Sequence, residues 1–181
     1  MSELGDKGIR DLEKTATALS INQSKAAAAC WICLDDLPDQ HGHLPVRNCS
    51  CRGEDAGFAH ISCTVEYAER KSSERHCESD PHEFAPPWFI CPNCDQPYDG
   101  QLATDLANKM VSFAERNYST FDWRRLSAYQ VKITRINELE RSDETKKLMG
   151  LSIEICEKLL KTPVTAIPIH PADVLSLVAM A

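Results

Sequence analysis

No stretch of this 181-residue chain approaches the roughly 20 consecutive apolar residues that cross a bilayer, and the closing Val174–Ala181 run is too short. Residues 1–20 lack the basic start and apolar core of a secretory signal. Neither membrane residence nor secretion is expected. There is no glycine-rich phosphate loop, and no Ser/His/Asp or Cys/His arrangement that reads as a nucleophilic catalyst. Basic charge is scarce in one region. Residues 30–98 carry twelve acidic and five basic side chains, whereas 1–29 and 99–181 are each balanced, so the formal charge of −7 belongs to that stretch. Such a surface repels phosphate backbones, and a nucleic-acid partner is not expected.

The same stretch is rich in cysteine. Seven of the nine cysteines and one histidine fall into four pairs: Cys30-x-x-Cys33, Cys49-x-Cys51, His60-x-x-Cys63 and Cys91-x-x-Cys94, separated by 15, 8 and 27 residues. A close pair brings two donors to one metal with little chain-closure cost. Two pairs complete a tetrahedral zinc site, and four complete two sites. Disulfides are the alternative use of nine cysteines. The odd count, the histidine and the missing signal favour zinc-bound thiolates in a reducing compartment, hence an intracellular protein, cytoplasmic or nuclear. Seven thiolates around two zinc ions would make the region about three units more negative still. Eight donors fill two closed sites and leave no open position for catalysis.

Residues 1–28 form a polar leader, partly helical in pattern. Leu44 and Val46 alternate towards Cys49, and Phe58–Ala59 return into His60, which predicts two short strands joined through Gly53 and Gly57. Val65–Lys71 predicts a short helix. Ser72–Pro87 reads as an inserted polar loop, and Trp88, Phe89 and Ile90 supply apolar bulk for a core with few residues of its own. Cys77 reads as a free thiol and Cys156 as a small core residue. Beyond residue 98 the period becomes helical. Leu102, Leu106, Met110 and Phe113 mark one face, Leu126, Tyr129, Ile133 and Ile136 a second, and Leu148, Leu151, Ile155 and Leu159 a third. Asp99, Asp122 and Ser142 stand at the three starts, Pro163 follows the third, and Ala172–Met180 reads as a short fourth helix. Two such helices have the size of one helical repeat, although a plain hairpin fits equally.

The ligand order Cys-Cys-Cys-Cys-His-Cys-Cys-Cys is shared by plant-homeodomain fingers and RING-CH (variant RING) domains. Here a single residue separates Cys49 from Cys51, eight precede His60, and Phe58 stands two before it. The Cys-Ser-Cys-Arg-Gly run at 49–53, Gly-Phe-Ala-His at 57–60 and Cys-Pro-Asn-Cys at 91–94 resemble RING-CH. The plant-homeodomain finger is the alternative, with Trp88 three residues before Cys91 instead of two. The composite of finger and tetratricopeptide-like helices also resembles a family of uncharacterised algal proteins.

The resemblance implies a small α+β cross-braced finger over 29–98, followed by an all-α hairpin or repeat-like segment over 99–181. It implies that Cys30, Cys33, His60 and Cys63 share one Zn2+, and that Cys49, Cys51, Cys91 and Cys94 share another. It further implies a ubiquitin ligase or adaptor whose Ile32, Tyr67 and Pro92 touch a ubiquitin-conjugating enzyme, while the helices recruit a protein partner. Each of those three residues also has a packing or turn-shaping reading. Three departures weaken the ligase reading: the 27-residue gap before Cys91, Tyr67 in a place usually held by tryptophan, and Asp95 where a basic residue would pin ubiquitin. A non-catalytic zinc-braced interaction module and a histone-tail reader are the other readings.

Overall fold

The periodic stretches become helices, and the cysteine-rich stretch becomes loops and shorter helices. The computed structural model describes residues 28–74, 76–77, 80–137 and 143–162. The leader up to residue 27, the caps expected at Ser142 and Pro163, and the helix expected over Ala172–Met180 lie outside the described residues. Helix α1 spans Ile61–Ser72, α2 Pro81–Phe84, α3 Gly100–Asn117, α4 Trp123–Asn137 and α5 Asp143–Lys161, with a 3₁₀ turn at Pro86–Trp88.

Helix α4 opens as its sequence predicts. The Asp122 carboxylate accepts from the Arg124 amide at 2.9 Å and from the same guanidinium at 2.7–2.8 Å. Helix α5 carries Asp143 and Glu144 in its first turn and Lys158 and Lys161 in its last, which suits the helix dipole. Helix α3 opens differently. Asp99 makes no side-chain cap. Its amide donates to the Asn48 carbonyl at 3.0 Å, and its carboxylate accepts from the Asn48 side-chain amide at 3.3 Å. The start of α3 is thus fastened to the residue before Cys49.

The two expected strands shrink to one antiparallel bridge, Val46 with Ala59; a second joins Ile90 and Pro97. Among the described residues there is no longer strand, so the α+β expectation reduces to two bridges in a mostly helical chain. Pro45 has no N–H to extend a ladder, and Leu44 is exposed, so no second sheet face is buried.

The segment read as an inserted loop is instead built into the core. Phe84 and Trp88 are fully buried. The Trp88 indole N–H donates to the Ser72 hydroxyl, which donates to the Phe84 carbonyl, both at 2.8 Å. This chain satisfies the polar groups that burial would otherwise penalise. Phe84 meets Trp123 of α4 edge-on at 5.4 Å, and Trp88 meets Phe113 of α3 at 5.4 Å. A single buried cluster runs from Ala68, Phe84, Trp88 and Cys91 through Leu106 and Leu126 to Leu159. The bulk before Cys91, expected to serve the finger's own small core, instead joins finger and helices, because the finger offers it too little apolar surface of its own.

Candidate metal centre

The two ends of the finger fold alike. In Cys30–Asp35 the Leu34 amide donates to the Cys30 carbonyl and the Cys30 amide to the Asp35 carbonyl, both at 2.8 Å. In Cys91–Gln96 the Asp95 amide donates to the Cys91 carbonyl and the Cys91 amide to the Gln96 carbonyl, both at 2.9 Å. Leu34 and Asp95 hold the same place in each knuckle with left-handed backbone, at φ 66° and 54°. Aspartate tolerates that conformation; for leucine it costs roughly 1–2 kcal/mol. Leu34 is 80% exposed, so its burial does not offset that cost.

His60 lies at the N-cap of α1 and Cys63 in its first turn. This brings the third pair to the first knuckle. The His60 Nδ1 is 3.4 Å from Cys33 Sγ and 3.6 Å from Cys63 Sγ. The His60 amide donates to Cys30 Sγ at 3.5 Å. On the far side of the ring Nε2 is 2.7 Å from the Leu37 carbonyl oxygen. That oxygen only accepts, so Nε2 carries the proton and Nδ1 presents its lone pair to the sulfurs. This is how a metal-ligating histidine is ordinarily oriented.

The loop that supplies this carbonyl is anchored by Asp39. One carboxylate oxygen accepts from the amides of His41 at 2.9 Å and His43 at 3.0 Å, and the other from the Ser62 hydroxyl at 2.6 Å. The Ser62 hydroxyl, then the His43 amide, hold the Asp39 carboxyl well below the usual carboxylate range.

The second set joins Cys49 and Cys51 to the second knuckle. Cys51 Sγ and Cys91 Sγ are 3.7 Å apart. Gly57 closes over this set with φ +77°, and a Cβ there would lie 2.6 Å from Cys51 Cβ and 2.9 Å from Cys49 Sγ. Only glycine fits both the backbone and the space. Tyr98 is buried beside these cysteines, and its hydroxyl has no hydrogen-bond partner among the described residues.

The donor atoms within each set all lie within 4.8 Å of one another. Around tetrahedral Zn2+, bond lengths of about 2.3 Å to sulfur and about 2.0–2.1 Å to nitrogen put neighbouring sulfurs about 3.8 Å apart and sulfur and nitrogen about 3.6 Å apart. The distances here match those edges. The pairs interleave: the first and third pairs form one set, and the second and fourth form the other. The thiols also need a cation if they are to ionise together. Burial, then the neighbouring Cys33 and Cys30, push the Cys63 thiol up to about 12. Burial and the adjacent cysteines likewise push Cys51 up. Burial also raises Cys30, but the amides of Cys33, His60 and Ile32 outweigh it and hold this thiol down at about 7. Each set can therefore hold a metal ion, and the Cys₃His and Cys₄ donor types suit zinc.

All eight expected ligands are brought together. Of the expected partner-binding residues, Ile32 and Tyr67 are half-buried and Pro92 is exposed. Tyr67 meets Trp31 edge-on at 5.6 Å. Sequence reasoning missed Leu37, which acts through its backbone, and Asn48 and Tyr98. Gly57 was legible only as a turn residue. A third group, Glu74, His76 and Cys77, also clusters. The Lys71 ammonium sits 3.0 Å from the Glu74 carboxylate and already supplies a cation there. Cys77 is a free thiol, as its sequence position suggested, and it is buried. No helix among the described residues is long and apolar enough to cross a membrane. Comparison with family models, curated proteins and solved structures yields no match.

Proposed function

We propose that this chain is a zinc-braced RING-CH-type protein that recruits a ubiquitin-conjugating enzyme and supports at most slow ubiquitin transfer. The observation that carries the reading is the pair of interleaved four-donor sets, with a helix rising from the third ligand pair. RING-type domains do no covalent chemistry; they hold the loaded enzyme. Ile32 in the first knuckle, Tyr67 on α1 and Pro92 in the second knuckle are the residues assigned to that contact. Thiolate ligands tie the reading to a reducing compartment, cytoplasmic or nuclear.

Slow transfer follows from Asp95. An acidic side chain cannot make the cationic contact that pins ubiquitin in the reactive pose, and only interactions that favour the transition state accelerate the step. Asp95 also occupies a left-handed position, which gives its identity a conformational reason. That observation favours the second reading, a non-catalytic interaction module. In either reading the helical part engages a protein partner. Met149, Ile153 and Leu160 of α5 are exposed and stand on one stripe of the helix.

The test is discharge of ubiquitin from a loaded conjugating enzyme. Asp95→Arg is expected to raise discharge, and Ile32→Ala to weaken enzyme binding with zinc content unchanged. If no conjugating enzyme in a broad panel binds, or Ile32→Ala changes nothing, the module reading replaces the ligase reading.

A further inference from the structure

A groove of about 750 Å³ runs beside the first ligand set, between the Leu37–His43 loop, α1 and α3. Its lining combines apolar side chains, Leu37, Ile61 and Val65 among them, with five carboxylates and one ammonium, that of Lys109. Leu37 is 64% exposed, a large apolar side chain left to water at the groove.

The carboxylates differ in what they already do. Asp39 spends both oxygens anchoring its own loop. Glu69 is paired with Arg116 at 2.9 Å. Asp105 accepts from the neutral Gln101 amide at 3.0 Å and keeps its charge. Asp35 accepts from the Leu37 amide at 2.9 Å and keeps its charge as well. None of the five belongs to a group that converges on one point as metal ligands do. Negative charge spread along an apolar trough matches several cations on one chain, not a single ion.

The groove also lies away from the face assigned to the conjugating enzyme. At 100° per residue, Ser62, Val65, Glu66 and Glu69 centre about 150° around α1 from Tyr67, and the buried Thr64, Ala68 and Ser72 occupy the other arc between them. Both flanks of the helix can be engaged at once.

We propose that this groove docks an extended segment of a partner protein in which lysine or arginine alternates with apolar residues. The apolar side chains cover Leu37 and Val65, and the cations lie against Asp35, Glu66 and Asp105. The proposal does not depend on ubiquitin chemistry, and its test omits conjugating enzymes.

The full chain, loaded with zinc, is titrated into a fluorescent peptide of alternating lysine and leucine, and into a counterpart with glutamate for lysine, by fluorescence anisotropy. The lysine peptide is expected to bind, with affinity falling about tenfold or more as salt shortens the Debye length from about 10 Å to about 3 Å. The double variant Glu66→Lys, Asp105→Lys is expected to lose at least tenfold, and Leu37→Ser several-fold with the salt dependence retained. Glu154→Lys on α5, outside the groove, is expected to stay within twofold. Zinc content is compared across all variants, and Glu66→Gln, Asp105→Asn serves if the reversal does not fold. Absence of binding, equal binding of the glutamate peptide, or equal losses in Glu154→Lys and the groove double variant overturns the proposal.

Discussion

Trp88 lies against Phe113, ring centroids 5.4 Å apart, and this contact ties the second knuckle to the C-terminal half of α3. Three residues after Trp88 comes Cys91, also buried in the shared cluster. Metal binding and helix packing therefore act on one core. Trp88→Ala is expected to cost about 3–5 kcal/mol. Cys33→Ala, which removes only a ligand, is expected to lower the melting temperature of the helices as well. Far-ultraviolet circular dichroism and zinc release, followed on one sample during heating, should change together. Helices that keep their melting temperature after zinc removal would show the two parts to be independent.

Asp39→Ala removes the acceptor for the Ser62 hydroxyl and for two amides, freeing the loop whose Leu37 carbonyl orients His60. Loss of such outer support ordinarily costs 10- to 100-fold in metal affinity; because Asp39 acts through the loop, roughly tenfold is expected, at the first set alone. Competition with a zinc chelator measures it. The pH dependence has a definite sign. The folded-state pKa of Asp39 is depressed, so its contribution is present above the ordinary carboxylate pKa and disappears as pH falls through the folded value. The gap in zinc affinity between wild type and Asp39→Asn should close on acidification; a gap that widens would contradict this role.

Gly57→Ala should abolish the second set and spare the first. Its new Cβ meets Cys51 Cβ at 2.6 Å and Cys49 Sγ at 2.9 Å, and the φ of +77° adds strain. Elemental analysis is expected to give two zinc ions per wild-type chain and about one per variant chain. Two ions retained in the variant, or fewer than two in the wild type, would count against the cross-braced arrangement.

Met149, Ile153 and Leu160 leave an apolar stripe on the outer side of α5. Helix α5 packs on α4, and among the described residues no further helix covers that stripe. The chain is expected to self-associate at high concentration, and Ile153→Lys to shift light scattering towards the monomer. A wild type that stays monomeric at high concentration would mark a self-contained bundle.

The ligands were legible because metal chemistry requires close donor pairs, and close pairs are visible in sequence. The helices were legible because a period of 3.6 places Leu102, Leu106, Met110 and Phe113 on one face, and that face is buried. Other features left no such mark. A carbonyl that orients His60 belongs to Leu37 by backbone position, and any residue type carries a carbonyl. Leu34 occupies a place where glycine or asparagine would have signalled a left-handed turn. Phe84 fell within a stretch read as a polar loop, and Trp88 read as core for the finger alone, since nothing in their spacing says that their partners are Trp123 and Phe113. The strand pattern at Leu44–Val46 was real but too short, and Pro45 interrupts it.

The interleaving also fixes an order during synthesis. The first donor set is complete once Cys63 has been made, 31 residues before Cys94 completes the second. At roughly 5–20 residues per second the ribosome takes about 2–6 s over that interval. Cys49 and Cys51 wait through it as an unmatched dithiol on a nascent chain, next to a site that is already able to close. The newly made chain is therefore most exposed to oxidation at this pair, and during translation rather than after it.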